Sequence, residues 1–167
     1  MMKNTDIDRY SREYKEHSEH KELDILCELE KALNDEWLAY YQYWSAYTSS
    51  RGSGKIDVDP ELKEHAKEEW DHIKKLGKRI NELGGSVVLD PTDLKKNSHE
   101  WEPISSIEPI DILKDLKHAE LTAIKNYEDL IANMCDKDPV TKLLLIEILA
   151  KEQEHYHDLD ILSCSLV

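Results

Sequence analysis

The chain has 167 residues, of which 40% are hydrophobic, so we expect a single domain spanning residues 1–167 with a sizeable core. Its formal net charge of −14 would repel the negatively charged backbone of a nucleic acid, so direct nucleic-acid binding is not expected. The chain has no apolar run of about 18 residues and its first residues lack the apolar segment of a signal peptide, which predicts a cytoplasmic protein without membrane contact.

Residues 1–17 are polar and charged and are interpreted as a tail or a short helix. A long helix is predicted from about residue 18 to residue 48, because one seam repeats in steps of three and four. Ser49, Ser50, Gly52, Ser53 and Gly54 end this helix as a turn. The seam consists of Leu26, Leu29, Leu33, Glu36, Tyr40, Tyr43 and Tyr47.

The second helix is predicted to open at Asp59-Pro60, an N-cap followed by a proline at the first helical position. Gly84-Gly85 ends it in the manner of a C-cap. The residues from about 86 to 107 show no sustained periodicity of apolar positions, and the segment is too long for a simple turn. A segment of this length suits a crossover that runs along a bundle and starts the next helix parallel to the last. The second seam is Leu62, His65, Glu69, His72, Leu76, Arg79 and Leu83.

Two further helices follow, one from Pro109 to about Cys135 and one from Asp138-Pro139 to about Leu162. The sequence therefore predicts an all-α four-helix bundle with a long crossover between its second and third helices. The third seam is Leu113, Leu116, Glu120, Ala123, Tyr127, Leu130 and Met134. The fourth seam is Leu145, Ile148, Glu152, His155, Leu159 and Leu162.

A single glutamate interrupts each apolar seam near its middle, and in two helices a histidine follows three residues later. Buried charges need partners, so four such glutamates indicate a shared cation. Their separations, 33 residues within the first helix pair and 32 within the second, predict similar heights in the bundle. Carboxylate and imidazole together suit two divalent first-row metal ions. The six predicted ligands are Glu36, Glu69, His72, Glu120, Glu152 and His155.

Other polar side chains receive less specific interpretations. His65 and His157 are interpreted as bundle-edge or surface residues. Glu64 and Glu68, one turn apart, are candidates for metal binding on an inner wall, although a solvated acidic face is the favoured interpretation. Cys27, Cys135 and Cys164 are widely spaced and form no Cys-x-x-Cys pair, so they are interpreted as semi-buried free thiols.

The two Glu-x-x-His elements with two single glutamates resemble the ferritin-like superfamily over roughly residues 20–162, and bacterioferritin is the most similar member class. The resemblance implies two iron ions per subunit, with Glu69 and Glu152 bridging them. It implies that Glu36 and His72 complete the coordination of one ion. Glu120 and His155 would complete the coordination of the other. It also places Tyr43 beside this centre, where its phenol would donate a hydrogen bond or an electron or simply pack in the core.

Two departures from that family affect the expected assembly and cofactors. The methionine that binds haem in bacterioferritin corresponds to Trp70, so haem is not expected. The chain stops soon after the fourth helix, whereas shells of 24 subunits carry a fifth. A Dps-like homo-oligomer of 12 subunits is therefore favoured over one of 24.

Three functions are compatible with these features. The first is a ferroxidase that oxidises Fe(II) with dioxygen or hydrogen peroxide and stores Fe(III) in an oligomeric cage. The second is a di-metal redox enzyme acting on small molecules, of the peroxidase, catalase or oxygenase type. The third is a metal-free helical interaction module.

Overall fold

The computed structural model describes residues 25–87, 90–99, 101–134 and 138–166. These residues form four α-helices and no strand: α1 (Ile25–Ser49), α2 (Lys55–Glu82), α3 (Pro109–Asn133) and α4 (Pro139–Ser165). The all-α prediction is therefore confirmed. The predicted tail, residues 18–24 of the first predicted helix and Cys135 lie outside the described residues. Within the described helices, none has a stretch both long and apolar enough to cross a membrane.

Two apolar clusters form the core, one toward each end of the bundle. Leu33, Leu76 and Ile148 belong to the first, and Leu62, Leu116 and Leu159 to the second. All six are at most 1% exposed, so each contributes roughly 1.5–3 kcal/mol through burial of its apolar surface. The seam glutamates lie between the two clusters. The apolar ends therefore stabilise the bundle and hold a charged layer at its centre.

Helix α2 begins earlier than Asp59-Pro60, so the predicted start is wrong. It follows Gly54, whose positive φ of 87° a residue with a side chain would adopt only with strain. Asp59 binds the Ser50 hydroxyl and the Lys55 ammonium instead of capping the helix. Pro60 is tolerated as the sixth helical residue because it costs only one backbone hydrogen bond, to Ile56, a residue that is 88% exposed to water.

The segment between α2 and α3 lies along α1. The Asn34 amide donates to the carbonyl of Asn97, and the Gln42 amide donates to the carbonyl of Glu102. At the end of α1 the backbone N–H of Arg51 donates to the Ile107 carbonyl. The segment thus runs in the direction of α1 from its first turns to its last, and α3 begins at the far end of the bundle.

A polar network joins the end of α2 to the start of α4. The Asp138 carboxylate accepts hydrogen bonds from the Thr141 backbone N–H and hydroxyl, as an N-cap does, and from Arg79 at 2.9 and 3.0 Å. Asp138 is therefore the N-cap of α4, which begins at the predicted Asp138-Pro139 pair. Arg79, which lies in the second seam, is satisfied there by this carboxylate and by the Thr141 hydroxyl.

Replacing Asp138 by Ala should lower the free energy of unfolding by roughly 1–2 kcal/mol, because the cap and the arginine both lose their acceptor. Burial alone would raise the pKa of Asp138, but hydrogen bonds from Thr141 and Arg79 hold it below its ordinary value of 3.8. Its contribution is thus complete above that value and is lost as the pH falls through the lowered folded-state pKa. Urea unfolding of the parent and of Asp138→Ala should show a difference at pH 7 that shrinks on acidification. Exposed Asp111→Ala on α3 is the control, and a pH-independent difference would contradict this account.

Candidate metal centre

The structure brings all six sequence-predicted side chains together in the middle of the bundle. Each helix contributes its seam glutamate, and α2 and α4 add the histidines one turn later. All six residues are buried, with exposures between 0% and 3%. They are Glu36, Glu69, His72, Glu120, Glu152 and His155.

The six side chains divide into two groups of four potential ligands. One group is Glu36, Glu69, His72 and Glu152, and the other is Glu69, Glu120, Glu152 and His155. Within each group, one donor atom from every residue lies within 4.8 Å of the others. Glu69 and Glu152 belong to both groups. The arrangement therefore has two adjacent positions for a cation and two carboxylates between them.

Each histidine presents one ring nitrogen to three carboxylates. His72 Nδ1 lies 3.1 Å from Glu36, 3.3 Å from Glu69 and 3.1 Å from Glu152. His155 Nδ1 lies 3.2 Å from Glu69, 3.4 Å from Glu152 and 3.7 Å from Glu120. A single N–H cannot donate well to three acceptors. A ring nitrogen surrounded in this way is instead placed to share a cation with them.

Unsatisfied atoms support the same interpretation. Glu69 Oε1, Glu120 Oε2, Glu152 Oε1 and His155 Nδ1 are buried without a hydrogen-bond partner. Some of these atoms lie close to one another, but without the alignment that a hydrogen bond requires. Buried polar atoms of this kind are rare and costly unless an ion satisfies them. Four carboxylates and two imidazoles are a suitable set for two divalent first-row cations, whose charge would offset that of the glutamates.

The unbalanced charge appears in the pKa values. Burial, and then the charges of Glu152 and Glu69, raise the pKa of Glu36 well above its ordinary value. Burial and the charge of Glu152 raise the pKa of Glu120 to about 8. Burial acts in the same direction on Glu69, but the His155 and His72 imidazoles beside its carboxylate outweigh it and lower its pKa. Burial and mutual repulsion thus favour the neutral form of Glu36 and Glu120 as long as no cation balances the charge of the cluster.

Two tyrosines hold the outer glutamates. Tyr43 of α1 donates a hydrogen bond to Glu120 of α3, and Tyr127 of α3 donates one to Glu36 of α1. The hydrogen bond anticipated for the Tyr43 phenol is thus observed, and its acceptor is Glu120. The role of Tyr127 was not predicted. The signal was available, since Tyr127 follows Glu120 by the same seven residues that separate Tyr43 from Glu36.

A second unpredicted contact orients His155. Its Nε2 lies 2.9 Å from Glu68, which also binds the Lys151 ammonium at 3.0 Å. Hydrogen bonding to His155 and Lys151 outweighs burial and lowers the pKa of Glu68 to about 2, so it is an ionised acceptor. It fixes a proton on Nε2 and leaves Nδ1 free to bind a cation. Glu68 therefore supports the centre rather than forming only a solvated acidic face.

Other side chains differ from their sequence interpretation. His65 is 1% exposed, so its assignment to the bundle edge or surface is wrong, whereas His157 is exposed as predicted. Burial, and then the neighbouring His155, lower the pKa of His65 to about 3, which leaves it neutral. Cys27 and Cys164 are exposed rather than semi-buried. Trp70, at the position of the family's haem-binding methionine, is 41% exposed and packs against Trp37.

The fold and the centre define a four-helix protein with a buried carboxylate–histidine cluster, and comparisons with known proteins agree. The sequence profile of the ferritin-like domain family matches residues 26–163, and the chain belongs to this family. A DNA protection during starvation protein from Pyrococcus furiosus is 30% identical over 127 residues, which cover 75% of this chain and 69% of that protein.

Solved structures with the same fold include one of substantial sequence similarity. The bacterioferritin-related protein of Bacteroides fragilis, described as a dodecameric thioferritin, is 33% identical with a TM-score of 0.80, and the match covers 84% of each chain. Dps from Staphylococcus aureus is 18% identical with a TM-score of 0.78, over 84% of this chain and 95% of that one. The latter comparison supports the fold alone.

Proposed function

We propose that the protein is a ferroxidase that oxidises Fe(II) at the six-residue centre and stores the product as Fe(III). The observation that carries this proposal is the pair of four-residue groups that share Glu69 and Glu152. In this assignment the shared carboxylates bridge two substrate ions. Glu36 with His72 completes one position, and Glu120 with His155 completes the other. The centre requires no haem.

Placing two Fe(II) ions side by side allows a two-electron oxidation. Each ion gives up one electron, and dioxygen with two protons becomes hydrogen peroxide. Hydrogen peroxide as the oxidant accepts the same two electrons with two protons and gives two waters. In either case no one-electron oxygen radical needs to be released. The residues of the chain bind and orient the ions and exclude bulk water, since all six ligands are buried.

The hydrogen bonds behind the ligands should determine how firmly each ion is held. Replacing Glu68 by Gln removes the charged acceptor of the His155 Nε2 proton and leaves the six ligands unchanged. We expect two bound ions per chain, with the affinity of one weakened by roughly 10–100-fold. A competition titration with a chromophoric chelator would measure this change. Exposed Glu147→Gln on α4 is the control, and equal affinities in both variants would contradict the role of Glu68.

Storage requires an enclosed space, which one bundle does not supply. We propose a homo-oligomer, with 12 subunits favoured over 24. This proposal is supported by the similarity to the Bacteroides fragilis protein described as dodecameric, which extends over 84% of this chain.

The Pyrococcus furiosus relative is named for DNA protection. With a net charge of −14, this chain would protect DNA by removing iron and oxidant rather than by direct contact.

A cavity beside the centre favours one alternative. It has a volume of about 550 Å³ and lies between α1, α3 and the segment that runs along α1. Ala39, Trp101 and Ala123 line it, and it reaches Glu36 and Glu120. A cavity of this size admits a small organic molecule as well as an oxidant. The alternative is therefore a di-metal redox enzyme acting on small molecules.

Iron loading separates these two functions. Native mass spectrometry of the purified protein, before and after addition of Fe(II) and oxidant in excess, gives subunit number and iron content together. The proposed function predicts a particle near 12 subunits that retains many more than two irons per chain. A monomer or dimer that retains two or fewer would support the small-molecule enzyme instead.

A further inference from the structure

A third group of potential metal ligands lies outside the six-residue centre. Glu61 and His65, one turn apart on α2, face Asp158 of α4. His65 Nε2 lies 3.1 Å from Glu61 Oε1 and 3.9 Å from Asp158 Oδ2. One donor atom from each of the three residues lies within 4.8 Å of the others. No residue of this group belongs to either group of the centre.

We propose that Glu61, His65 and Asp158 bind a third divalent cation, at a site distinct from the centre and open to solvent. His65 is 1% exposed, and it directs Nε2 at the two carboxylates from within the bundle. The side chains of Glu61 and Asp158 are 30% and 34% exposed. The site thus combines a buried imidazole with two carboxylates that are partly exposed to solvent.

The charge at this site is not balanced by the protein. Among the described residues, no lysine or arginine forms an ion pair with Glu61 or Asp158, although such pairs are common elsewhere on the helices. A divalent cation between them would supply the missing charge and use the imidazole as its third ligand.

The geometry also determines the kind of ion and its relative affinity. Metal–ligand bonds of about 2.0–2.2 Å require donor atoms about 3–4 Å apart, and His65 Nε2 lies within this range of both Glu61 and Asp158. One imidazole and two carboxylates suit Fe(II), Zn(II) or Mn(II). Only three protein ligands are available, so water completes the coordination. We therefore expect weaker binding and faster exchange than at the centre.

The position of the site connects it with the centre. The His65 ring stacks on the His155 ring with centroids 4.1 Å apart. His155 in turn directs Nδ1 at Glu69, Glu120 and Glu152. A cation at the third site would therefore be held between solvent and a ligand of the centre. This position suits an ion that waits to enter the centre or that has just left it.

The test uses the full-length oligomer and Zn(II), which binds without oxidation. Equilibrium dialysis of the parent should show two tightly bound ions per chain and a third of lower affinity. The double variant Glu61→Gln with Asp158→Asn keeps the shape of both side chains but removes their charge. It should weaken the third ion by at least about tenfold, which corresponds to 1.4 kcal/mol, and leave the two tight ions unchanged. Exposed Glu147→Gln on α4 should retain all three.

Two outcomes overturn the proposal: a parent that binds no third ion, or a third ion bound equally well by the double variant. Zinc-edge anomalous diffraction gives an independent readout, because the third peak should lie about 2.1 Å from His65 Nε2. Failure here is distinguishable from failure of the proposed ferroxidase. A protein with two tight ions and no third one contradicts this site alone. A protein with only the weaker ion contradicts the ferroxidase centre alone.

Discussion

Replacing both Glu69 and Glu152 by Gln should abolish rapid Fe(II) oxidation, with a decrease of at least about 100-fold. These two residues belong to both four-residue groups, so their loss removes ligands from both cation positions. Glutamine keeps the volume of each side chain and removes its charge. A loss of about 2.7 kcal/mol of stabilisation at the reacting ions is sufficient for this decrease, since each 1.36 kcal/mol is a factor of ten in rate.

The measurement is anaerobic Fe(II) addition followed by oxidant, monitored by stopped-flow absorbance of Fe(III). The matched control is Glu64→Gln with Glu147→Gln, which removes two exposed glutamates from the same two helices. This control changes the net charge of the chain by the same amount and should oxidise iron like the parent. If the Glu69/Glu152 variant also oxidised iron at the parent rate, the assignment of the centre would be wrong.

Binding of Zn(II) should raise the melting temperature of the parent by about 8–16 °C for each ion when free Zn(II) is about 1,000 times the dissociation constant. Saturation of one site to that degree contributes about 4.1 kcal/mol, and each kcal/mol shifts the melting temperature of a chain of this size by about 2–4 °C. The reason is structural. The metal-free bundle has four buried carboxylates at its centre, and cations bind only where the folded chain has assembled them.

Differential scanning calorimetry with and without Zn(II) provides the comparison. The Glu69→Gln/Glu152→Gln variant should gain little from Zn(II), because both cation positions have lost their shared carboxylates. The Glu64→Gln/Glu147→Gln control should behave as the parent does. An equal Zn(II) shift in all three proteins would indicate binding elsewhere on the acidic surface.

The charged layer was predictable because it violates the pattern around it. Each seam is apolar on both sides of a single glutamate, and one such residue in all four helices has no simple explanation in terms of packing. The nearly equal separations of 33 and 32 residues fix the relative heights, since helix rise is constant. The structure brings these glutamates together, with the two histidines beside them.

Side chains that act through another residue were harder to recognise. Tyr127 fits an apolar seam equally well as a packing residue, and only its hydrogen bond to Glu36 reveals its second role. Glu68 is a half-buried charged residue, and its contact with His155 depends on how α2 and α4 face each other. His65 was misassigned because a histidine in an acidic helix resembles a solvated one, while its stacking on His155 is a tertiary contact.

The start of α2 shows the limit of local signals. Asp59-Pro60 has the composition of a helix start, but the Asp59 carboxylate is used by Ser50 and Lys55. Because that carboxylate is occupied, it does not cap the helix. The helix begins earlier, directly after Gly54, whose positive φ is not helical. The Asp138-Pro139 pair has the same composition and does cap α4, because Thr141 and Arg79 supply donors to it. Tertiary partners therefore decide between identical local sequences.

The most direct test of the account is the number and separation of the ions that the six side chains bind. Anomalous diffraction at the iron edge, from crystals soaked anaerobically in Fe(II), would locate them. The account predicts two peaks per chain about 3.5–4 Å apart, with Glu69 and Glu152 between them. A single peak at this layer, or none, would contradict it.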